Sequence, residues 1–178
     1  MVAQSYNAVH MSEQFESHLV DILGYCRSVA SAARMDPLTS NLSLVPRQIG
    51  VYLWRHKESG KVAYAGRALG RGGLHDRIVR QHLGKGYSKS VLRRQLANEH
   101  GLRYKSESTQ YLGEHFTFSF TVVPEHDRAL VPSIEAMLIL EYQPEYNRDG
   151  KPKARGATER HAPSNTSDSG PSSSDKDN

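Results

Sequence analysis

The chain has 178 residues, a net charge of +4 and a pI of about 9.2, which is long enough for one domain with a hydrophobic core. It contains a single cysteine, Cys26, which excludes a disulfide framework and a cysteine zinc site. No apolar run is long enough to span a membrane and no secretion pattern opens the chain, so we expect a cytoplasmic protein without a membrane partner.

Residues 12–34 have the apolar periodicity of an amphipathic helix, with Ser12 placed to cap its start. The apolar positions at helical spacing are Phe15, Leu19, Ile22, Leu23, Cys26 and Val29. We expect this stripe to pack on the rest of the fold rather than to bind a separate partner. With the loop that follows, the helix forms a first region, residues 1–47.

A β-hairpin is predicted over residues 50–66. Its strands are Gly50-Val51-Tyr52-Leu53-Trp54 and Val62-Ala63-Tyr64-Ala65-Gly66, and Glu58-Ser59-Gly60-Lys61 supplies the turn. Each strand carries one tyrosine. In register, Tyr52 and Tyr64 would lie on neighbouring strands with both phenols near one spot.

A glycine-rich turn and two helices follow the hairpin. The turn, residues 66–73, permits a close approach to a ligand, but no Gly-Lys-Ser/Thr follows it, which excludes a nucleotide-binding phosphate loop. The first helix is predicted over residues 74–83, with Leu74, Ile78 and Leu83 inward. The second is predicted over residues 88–100, with Ser88 as its cap.

The basic excess of the chain lies in residues 67–105, which hold ten Lys and Arg residues against two acids, a local charge of +8. Such a segment is typical of a protein that binds a phosphate backbone, and the alternative is a solvated helical face. We expect these side chains to contact phosphates and to carry little sequence information. The predicted nucleic-acid contacts are Arg67, Arg71, Arg80, Lys85, Lys89, Arg93, Arg94 and Arg103.

The C-terminal part of the chain predicts one strand and one helix. Phe116, Phe118, Phe120 and Val122 alternate in a strand over residues 115–123, and apolar residues over 132–142 indicate a helix with Glu135 in its first turn. Residues 151–178 are dominated by Gly, Ser, Pro, Asp and Lys and are predicted to form a disordered polar tail.

Two tripeptides, Gly50-Val51-Tyr52 and Tyr64-Ala65-Gly66, resemble the paired motifs of the GIY-YIG nuclease family, with a conservative change in the middle of each. The family adds an arginine on the first helix, a glutamate after the third strand and an asparagine in Pro-x-x-Asn, matched here by Arg77, Glu135 and Asn147. The resemblance covers residues 48–150. It implies an α/β (α+β) fold, a small three-stranded antiparallel sheet flanked by helices, with an extra N-terminal helix.

One family position is shifted. The family has a histidine or tyrosine one turn after the arginine, but here Gln81 is four residues after Arg77 and His82 is five. On a straight α-helix a step of five turns the side chain by about 140°, so Arg77 and His82 would not share a face. Either a local irregularity brings His82 into the site, or Gln81, Arg80 or His75 takes its place.

The resemblance implies a metal-dependent DNA endonuclease, either restriction-like or directed to repair or branched structures. Glu135 would bind Mg²⁺ (or Mn²⁺), and Arg77 would hold the scissile phosphate. Tyr52 or Tyr64 would orient the attacking water, or accept its proton if Arg77 and the metal lower the pKa of the phenol. Water would attack directly, without a covalent intermediate.

The remaining family positions and partners follow from the same resemblance. Asn147 would fix the geometry of the site by hydrogen bonding, and His82 is a candidate for the site. DNA is the expected partner, a homodimer would supply two active sites for two strands, and a bacterial protein would be nucleoid-associated.

Two other functions stay open. The shifted histidine favours a catalytically silent nucleic-acid-binding module with the same fold, and an RNA-directed nuclease is the third reading. The sequence does not distinguish which tyrosine is the base.

Overall fold

The computed structural model describes residues 12–103 and 106–147. At its centre lies a three-stranded antiparallel sheet in the order β2–β1–β3. Its strands are β1 (Gly50–His56), β2 (Val62–Ala68) and β3 (Phe116–Val122). The helices are α1 (Glu13–Ser31), α2 (Gly73–His75), α3 (Val91–His100), α4 (Glu107–His115) and α5 (Val131–Tyr142). The predicted fold class is confirmed.

Shorter helical segments connect these elements. Three are 3₁₀ turns: Leu42–Leu44, Tyr87–Lys89 and Glu125–Leu130. The fourth, Asp76–His82, is a π-helix that continues α2. Within the described residues, no helix has both the length and the apolar character needed to cross a membrane.

The glycines of the two hairpin motifs, Gly50 and Gly66, leave room for neighbouring atoms. Tyr52 pairs with Gly66 across the two strands, and a Cβ at Gly66 would lie 2.3 Å from the Tyr52 hydroxyl oxygen. A Cβ at Gly50 would lie 2.1 Å from the carbonyl oxygen of Thr121 on β3. Glycine is therefore required at 66 for the Tyr52 ring to cross onto β2, and at 50 for β1 to approach β3.

The two faces of the sheet pack against different helices. Because successive strand residues point to opposite faces, Tyr52 and Trp54 join the core with Leu74 of α2 and Leu96 of α3. The other face packs against α1 and α5, and its core residues are Val51, Leu53, Ala65, Val29, Ile134 and Leu138. As the central strand, β1 is buried from Gly50 to Arg55.

The N-terminal helix forms as predicted but is only partly covered. The Ser12 side chain accepts a hydrogen bond from the Phe15 backbone N–H at 3.3 Å and caps α1. Ile22 and Val29 are buried against α5 and β3, whereas Phe15 and Leu23 remain 49% and 41% exposed. The predicted packing of the stripe is therefore confirmed for only part of its length.

One predicted cap is wrong, and one helix was not predicted. Ser90, not Ser88, caps α3, with its Oγ accepting a hydrogen bond from the Arg93 N–H at 3.2 Å. Ser88 lies in the preceding 3₁₀ turn. The helix without a sequence prediction is α4. The predicted tail, residues 151–178, lies outside the described residues.

Candidate active site

A cavity of about 790 Å³ lies along the open edge of β2. β2 pairs with β1 on one side only, so its other edge is not covered by a strand. α5 reaches this edge from one face of the sheet, and the π-helix and α3 reach it from the other. We call this cavity the cleft; its polar lining is Tyr64, Arg67, Asp76, Arg77, Gln81, Arg94, Gln95, Asn98, Glu135, Tyr146 and Asn147.

Asn147 completes the open edge of β2. Its Oδ1 accepts a hydrogen bond from the Ala65 N–H at 2.8 Å, and its Nδ2 donates to the Ala65 carbonyl at 2.8 Å. The neighbouring Tyr146 N–H donates to the Ala63 carbonyl at 3.0 Å. The buried amide thus replaces a strand partner, because unpaired backbone groups at this edge would otherwise be left without hydrogen bonds.

The two tyrosines lie side by side on one face of the hairpin, with ring centroids 6.3 Å apart. They differ in access: Tyr64 lines the cleft, whereas Tyr52 is fully buried beneath it. Arg77 connects them to the π-helix, because its Nε donates to the Tyr52 hydroxyl at 3.2 Å. Its Nη1 donates to Gln81 Oε1 at 2.6 Å and to the Lys89 carbonyl at 3.2 Å.

The π-helix accounts for the shifted histidine. In this segment the Leu83 N–H bonds to the Ile78 carbonyl at 3.1 Å, five residues earlier, so residues five apart lie close to one face. His82 consequently turns inward and its Nε2 lies 2.8 Å from the Tyr52 hydroxyl. The local irregularity that the sequence left open is present, but His82 lies beneath the cleft while Gln81 lines its wall.

Two hydrogen bonds hold the ring of His82. Its Nε2 bonds at 2.8 Å to the Tyr52 hydroxyl, which also accepts from Arg77 Nε, and its Nδ1 lies 2.7 Å from Ser90 Oγ. Burial, with the charges of Arg77 and Arg93, holds the pKa of His82 well below its usual range. A neutral His82 therefore holds the Tyr52 ring in place.

Glu135 enters the cleft from the first turns of α5. Its side chain is 18% exposed, and its Oε2 lies 2.7 Å from Nη1 of Arg67. Burial raises the pKa of Glu135, and the charges of Arg67 and Arg77 oppose that rise. The carboxylate also acts on the phenols, because its charge raises the pKa of Tyr52 and of Tyr64.

Burial dominates the titration of both tyrosines. It raises the pKa of Tyr52 well above its usual value and also raises that of Tyr64, although Arg77 acts to lower both. The neighbouring Tyr52 phenol in turn raises the pKa of the Arg77 guanidinium. Arg77 thus acts in the predicted direction, but burial outweighs it, so both phenols are protonated at neutral pH.

The donor set of the cleft fits a magnesium ion. Among the described residues, no group of three or more His, Cys, Asp or Glu side chains is placed to hold a metal ion. Mg²⁺ keeps several of its waters and binds through one or two carboxylates plus substrate phosphates. Glu135 supplies such a carboxylate, while the oxygens of Asp76 bond to Arg80 and Gln81.

The prediction that Arg93 contacts nucleic acid is wrong, because its side chain is buried. Its side chain is fully buried between α3 and α4, with Nε donating to Ser108 Oγ at 3.2 Å and Nη1 donating to the Gly84 carbonyl at 2.9 Å. It faces inward because it lies next to the buried Leu92 and Leu96 on the packed side of α3. Arg93 is therefore a structural residue.

The other predicted contacts differ in their surroundings. Arg67 and Arg94 line the cleft, and Arg71 lines a neighbouring cavity. Arg80 pairs with Asp76, and Arg103 pairs with Glu107. Lys85 and Lys89 are exposed and do not line the cleft.

Sequence reasoning missed four polar residues of the cleft, Asp76, Gln95, Asn98 and Tyr146. Gln95 and Asn98 lie on the side of α3 that carries Val91 and Arg94, and their spacing of three and four residues was a usable signal. Tyr146 directly precedes Asn147 and is held at the same edge.

No family model and no curated protein matches the chain. Among solved structures, it is similar to the GIY-YIG N-terminal endonuclease domain of UvrC from Thermotoga maritima bound to its catalytic divalent cation, magnesium. The identity is 25% over 60% of this chain and 90% of that chain, with a TM-score of 0.39. An asparagine-to-alanine mutant of that domain is similar at 25% identity over 60% and 89%, with a TM-score of 0.38.

Proposed function

We propose that this chain is a GIY-YIG nuclease that hydrolyses phosphodiester bonds of DNA in the cleft and depends on a divalent metal ion. One observation carries the proposal: Arg77, Tyr64 and Glu135, which are far apart in sequence, line a single cavity. In phosphodiester hydrolysis a guanidinium can hold the phosphate, a phenol can orient the nucleophile and a carboxylate can hold a hard cation.

Arg77 would hold the scissile phosphate. Its planar fork matches phosphate oxygens, and charge that builds on those oxygens during attack is stabilised by a guanidinium that does not have to reorganise. The bonds to Tyr52, Gln81 and Lys89 fix its orientation before substrate arrives.

Tyr64 would orient the attacking water, and Tyr52 would position Arg77. Tyr64 is the tyrosine that lines the cleft, and its protonated hydroxyl both donates and accepts hydrogen bonds. The Tyr52 hydroxyl is occupied by Arg77 and His82 below the cleft. With these roles, water would attack the phosphate directly, and no covalent intermediate would form on the protein.

Glu135 would hold Mg²⁺, and a bound Mg²⁺ supplies charge stabilisation at the phosphate and a water of lowered pKa. For the carboxylate to act it must be ionised. Since burial raises its pKa, affinity for the metal should fall as the pH drops toward the acid range. Arg67 keeps the charged form of Glu135 favourable.

A plasmid assay tests this function. Purified protein is incubated with supercoiled DNA with and without Mg²⁺, alongside Glu135→Gln and the matched control Glu141→Gln. Glu141 is exposed on the same helix and lies outside the cleft. We expect metal-dependent nicking that Glu135→Gln lowers by about 10²–10³-fold and Glu141→Gln leaves unchanged, with DNA binding retained by both. Equal cleavage by wild type and Glu135→Gln would contradict the assignment.

The silent nucleic-acid-binding module is the second candidate, because the cleft wall carries Gln81 where the family has histidine or tyrosine. Binding of DNA by wild type without cleavage at any Mg²⁺ or Mn²⁺ concentration would establish it. An RNA substrate in the same assay tests the RNA-directed nuclease. Discrete fragments would indicate a restriction-like enzyme, and a preference for branched substrates would indicate a repair enzyme. The homodimer and the nucleoid association stay predictions.

A further inference from the structure

A second cavity, of about 460 Å³, adjoins the cleft. It is lined by three stretches of chain that meet beside the start of α2: residues 47–49, residues 69–71, and residues 123–125 with Arg128. Leu69 and Gly70 line both cavities, so the two are separated only by this short loop. We call the second cavity the side pocket.

The side pocket carries an uncompensated positive charge. Its lining includes three arginines and one glutamate. Arg128 is already engaged, since its Nη1 donates to Glu125 Oε1 at 2.8 Å and its Nη2 donates to the Leu69 carbonyl at 2.7 Å. Arg47 and Arg71 are exposed, and within residues 12–103 and 106–147 no hydrogen bond or ion pair of either guanidinium is found. Two charges therefore remain for a ligand.

The fold holds the backbone of Arg47 beside the start of α2. The Leu74 N–H donates to the Gln48 carbonyl at 2.9 Å, and the His75 N–H donates to the Pro46 carbonyl at 2.9 Å. These bonds use the otherwise unpaired N–H groups at the helix start to bind the loop that carries Arg47.

Gly73 makes this close approach possible. Its φ is +53°, and a Cβ there would lie 2.2 Å from the Gln48 carbonyl oxygen and 2.5 Å from the Arg47 carbonyl carbon. Any other residue would push the 46–48 loop away from α2. The side pocket is therefore built by specific backbone contacts.

We propose that Arg47 and Arg71 form a second phosphate-binding subsite, which takes a phosphodiester of the same nucleic-acid strand whose scissile phosphate lies in the cleft. This inference rests on the proposed function. A strand bound by Arg77 continues on both sides of the scissile phosphate, and the contiguous side pocket offers it two guanidiniums. At Gly70, in the loop between the cavities, a Cβ would meet no atom within 4 Å, so the loop presents no side chain there to a crossing strand.

The subsite assigns a path to the substrate. The strand enters the cleft between Arg77 and Glu135, crosses Leu69–Gly70 and leaves through the side pocket. Arg47 lies outside the basic segment of residues 67–105, so it joins the nucleic-acid surface only through folding. Contacts of this kind bind phosphate and read no base, so they act on every sequence alike.

The salt dependence of DNA binding tests the subsite. Duplex binding is measured in EDTA from low to moderate salt for wild type, Arg47→Ala and Arg47→Ala/Arg71→Ala, with Arg27→Ala as the matched control. Arg27 is an exposed arginine on α1 that lies in neither cavity. We expect the slope of log K against log salt to fall by about 1 in the double variant, by less in the single variant, and not at all in Arg27→Ala. An unchanged slope in the double variant would overturn the subsite.

A neutral-phosphate scan locates the subsite on the strand. Methylphosphonates replace single phosphates around a mapped cleavage position, and each duplex is bound by wild type and by Arg47→Ala/Arg71→Ala. We expect one replacement, on one side of the scissile phosphate only, to weaken wild-type binding while leaving Arg47→Ala/Arg71→Ala unaffected. Equal sensitivity of both proteins at every position would overturn the subsite even if the enzyme cleaves DNA. Reduced slopes in a protein that never cleaves would support the subsite and contradict the nuclease.

Discussion

Arg93 and Arg94 are consecutive residues of α3, and the fold gives them opposite surroundings. Arg93 is fully buried and bonds to Ser108 and Gly84, whereas Arg94 is exposed and lines the cleft. Two parts of the cleft differ in the same way: its floor, formed by Tyr52 and His82, is buried, and its basic rim, which includes Arg94, is exposed. Side chains in the floor are fixed by hydrogen bonds, and those in the rim are available to a ligand.

The floor and the rim should therefore respond differently to substitution. A change in the floor removes bonds between buried groups and affects stability together with activity. A change in the rim removes an exposed charge and affects binding alone. Tyr64, which lines the cleft beside Tyr52, should affect cleavage more than stability.

Within this comparison, the largest expected effect is that of Tyr64→Phe on cleavage. Loss of the hydroxyl that we propose to orient the water should lower the single-turnover rate by about 10²–10³-fold, with the affinity for DNA unchanged. Tyr52→Phe is the comparison, since it leaves His82 Nε2 and Arg77 Nε without a partner and should lower stability as well. A Tyr64→Phe enzyme with the wild-type rate would remove Tyr64 from the mechanism.

The next effect concerns the two neighbouring arginines. Arg93→Ala should lower the free energy of unfolding by about 2–4 kcal/mol, because it opens a cavity and leaves the Gly84 carbonyl and Ser108 hydroxyl without this donor. Arg94→Ala should change stability by less than about 0.5 kcal/mol and weaken DNA binding instead. Urea unfolding and a binding titration measure both variants, and equal stability losses would contradict the structural distinction.

The smallest effect is the pH dependence that His82 contributes. Its pKa is depressed in the folded protein, so the unfolded chain binds the proton first, and the stabilisation present above about pH 6.5 is lost as the pH falls. Between pH 7 and 5, wild type should lose stability more steeply than His82→Gln, by up to about 1.4 kcal/mol per pH unit. Parallel stability curves for the two proteins would show that His82 does not carry this dependence.

The sequence predicted the sheet because its strand signals are local. The hairpin tyrosines, the alternation of β3 and the apolar run of α5 each indicate their element without reference to the rest of the chain. The motif glycines are explained only in three dimensions, since Gly66 accommodates the Tyr52 ring from the next strand. The resemblance identified the positions, and the structure supplies their physical reason.

The sequence could not predict the features that depend on irregular backbone or on long-range burial. A period of 3.6 residues assigns His82 to the wrong face because the segment Asp76–His82 is a π-helix. Net charge counts Arg93 with Arg94, although only packing against α4 distinguishes them. Arg47 reaches the side pocket through backbone bonds from α2, for which no sequence pattern exists.

The central claim is that the cleft hydrolyses phosphodiesters and that Arg77 holds the reacting phosphate. Its most direct measurement is the single-turnover cleavage rate of an end-labelled duplex at saturating Mg²⁺ and protein for wild type, Arg77→Ala and the rim variant Arg94→Ala. We predict a fall of about 10³-fold for Arg77→Ala and a rate within a few-fold of wild type for Arg94→Ala once the protein saturates the DNA. A wild-type rate in Arg77→Ala, at equal occupancy of the duplex, would contradict the account.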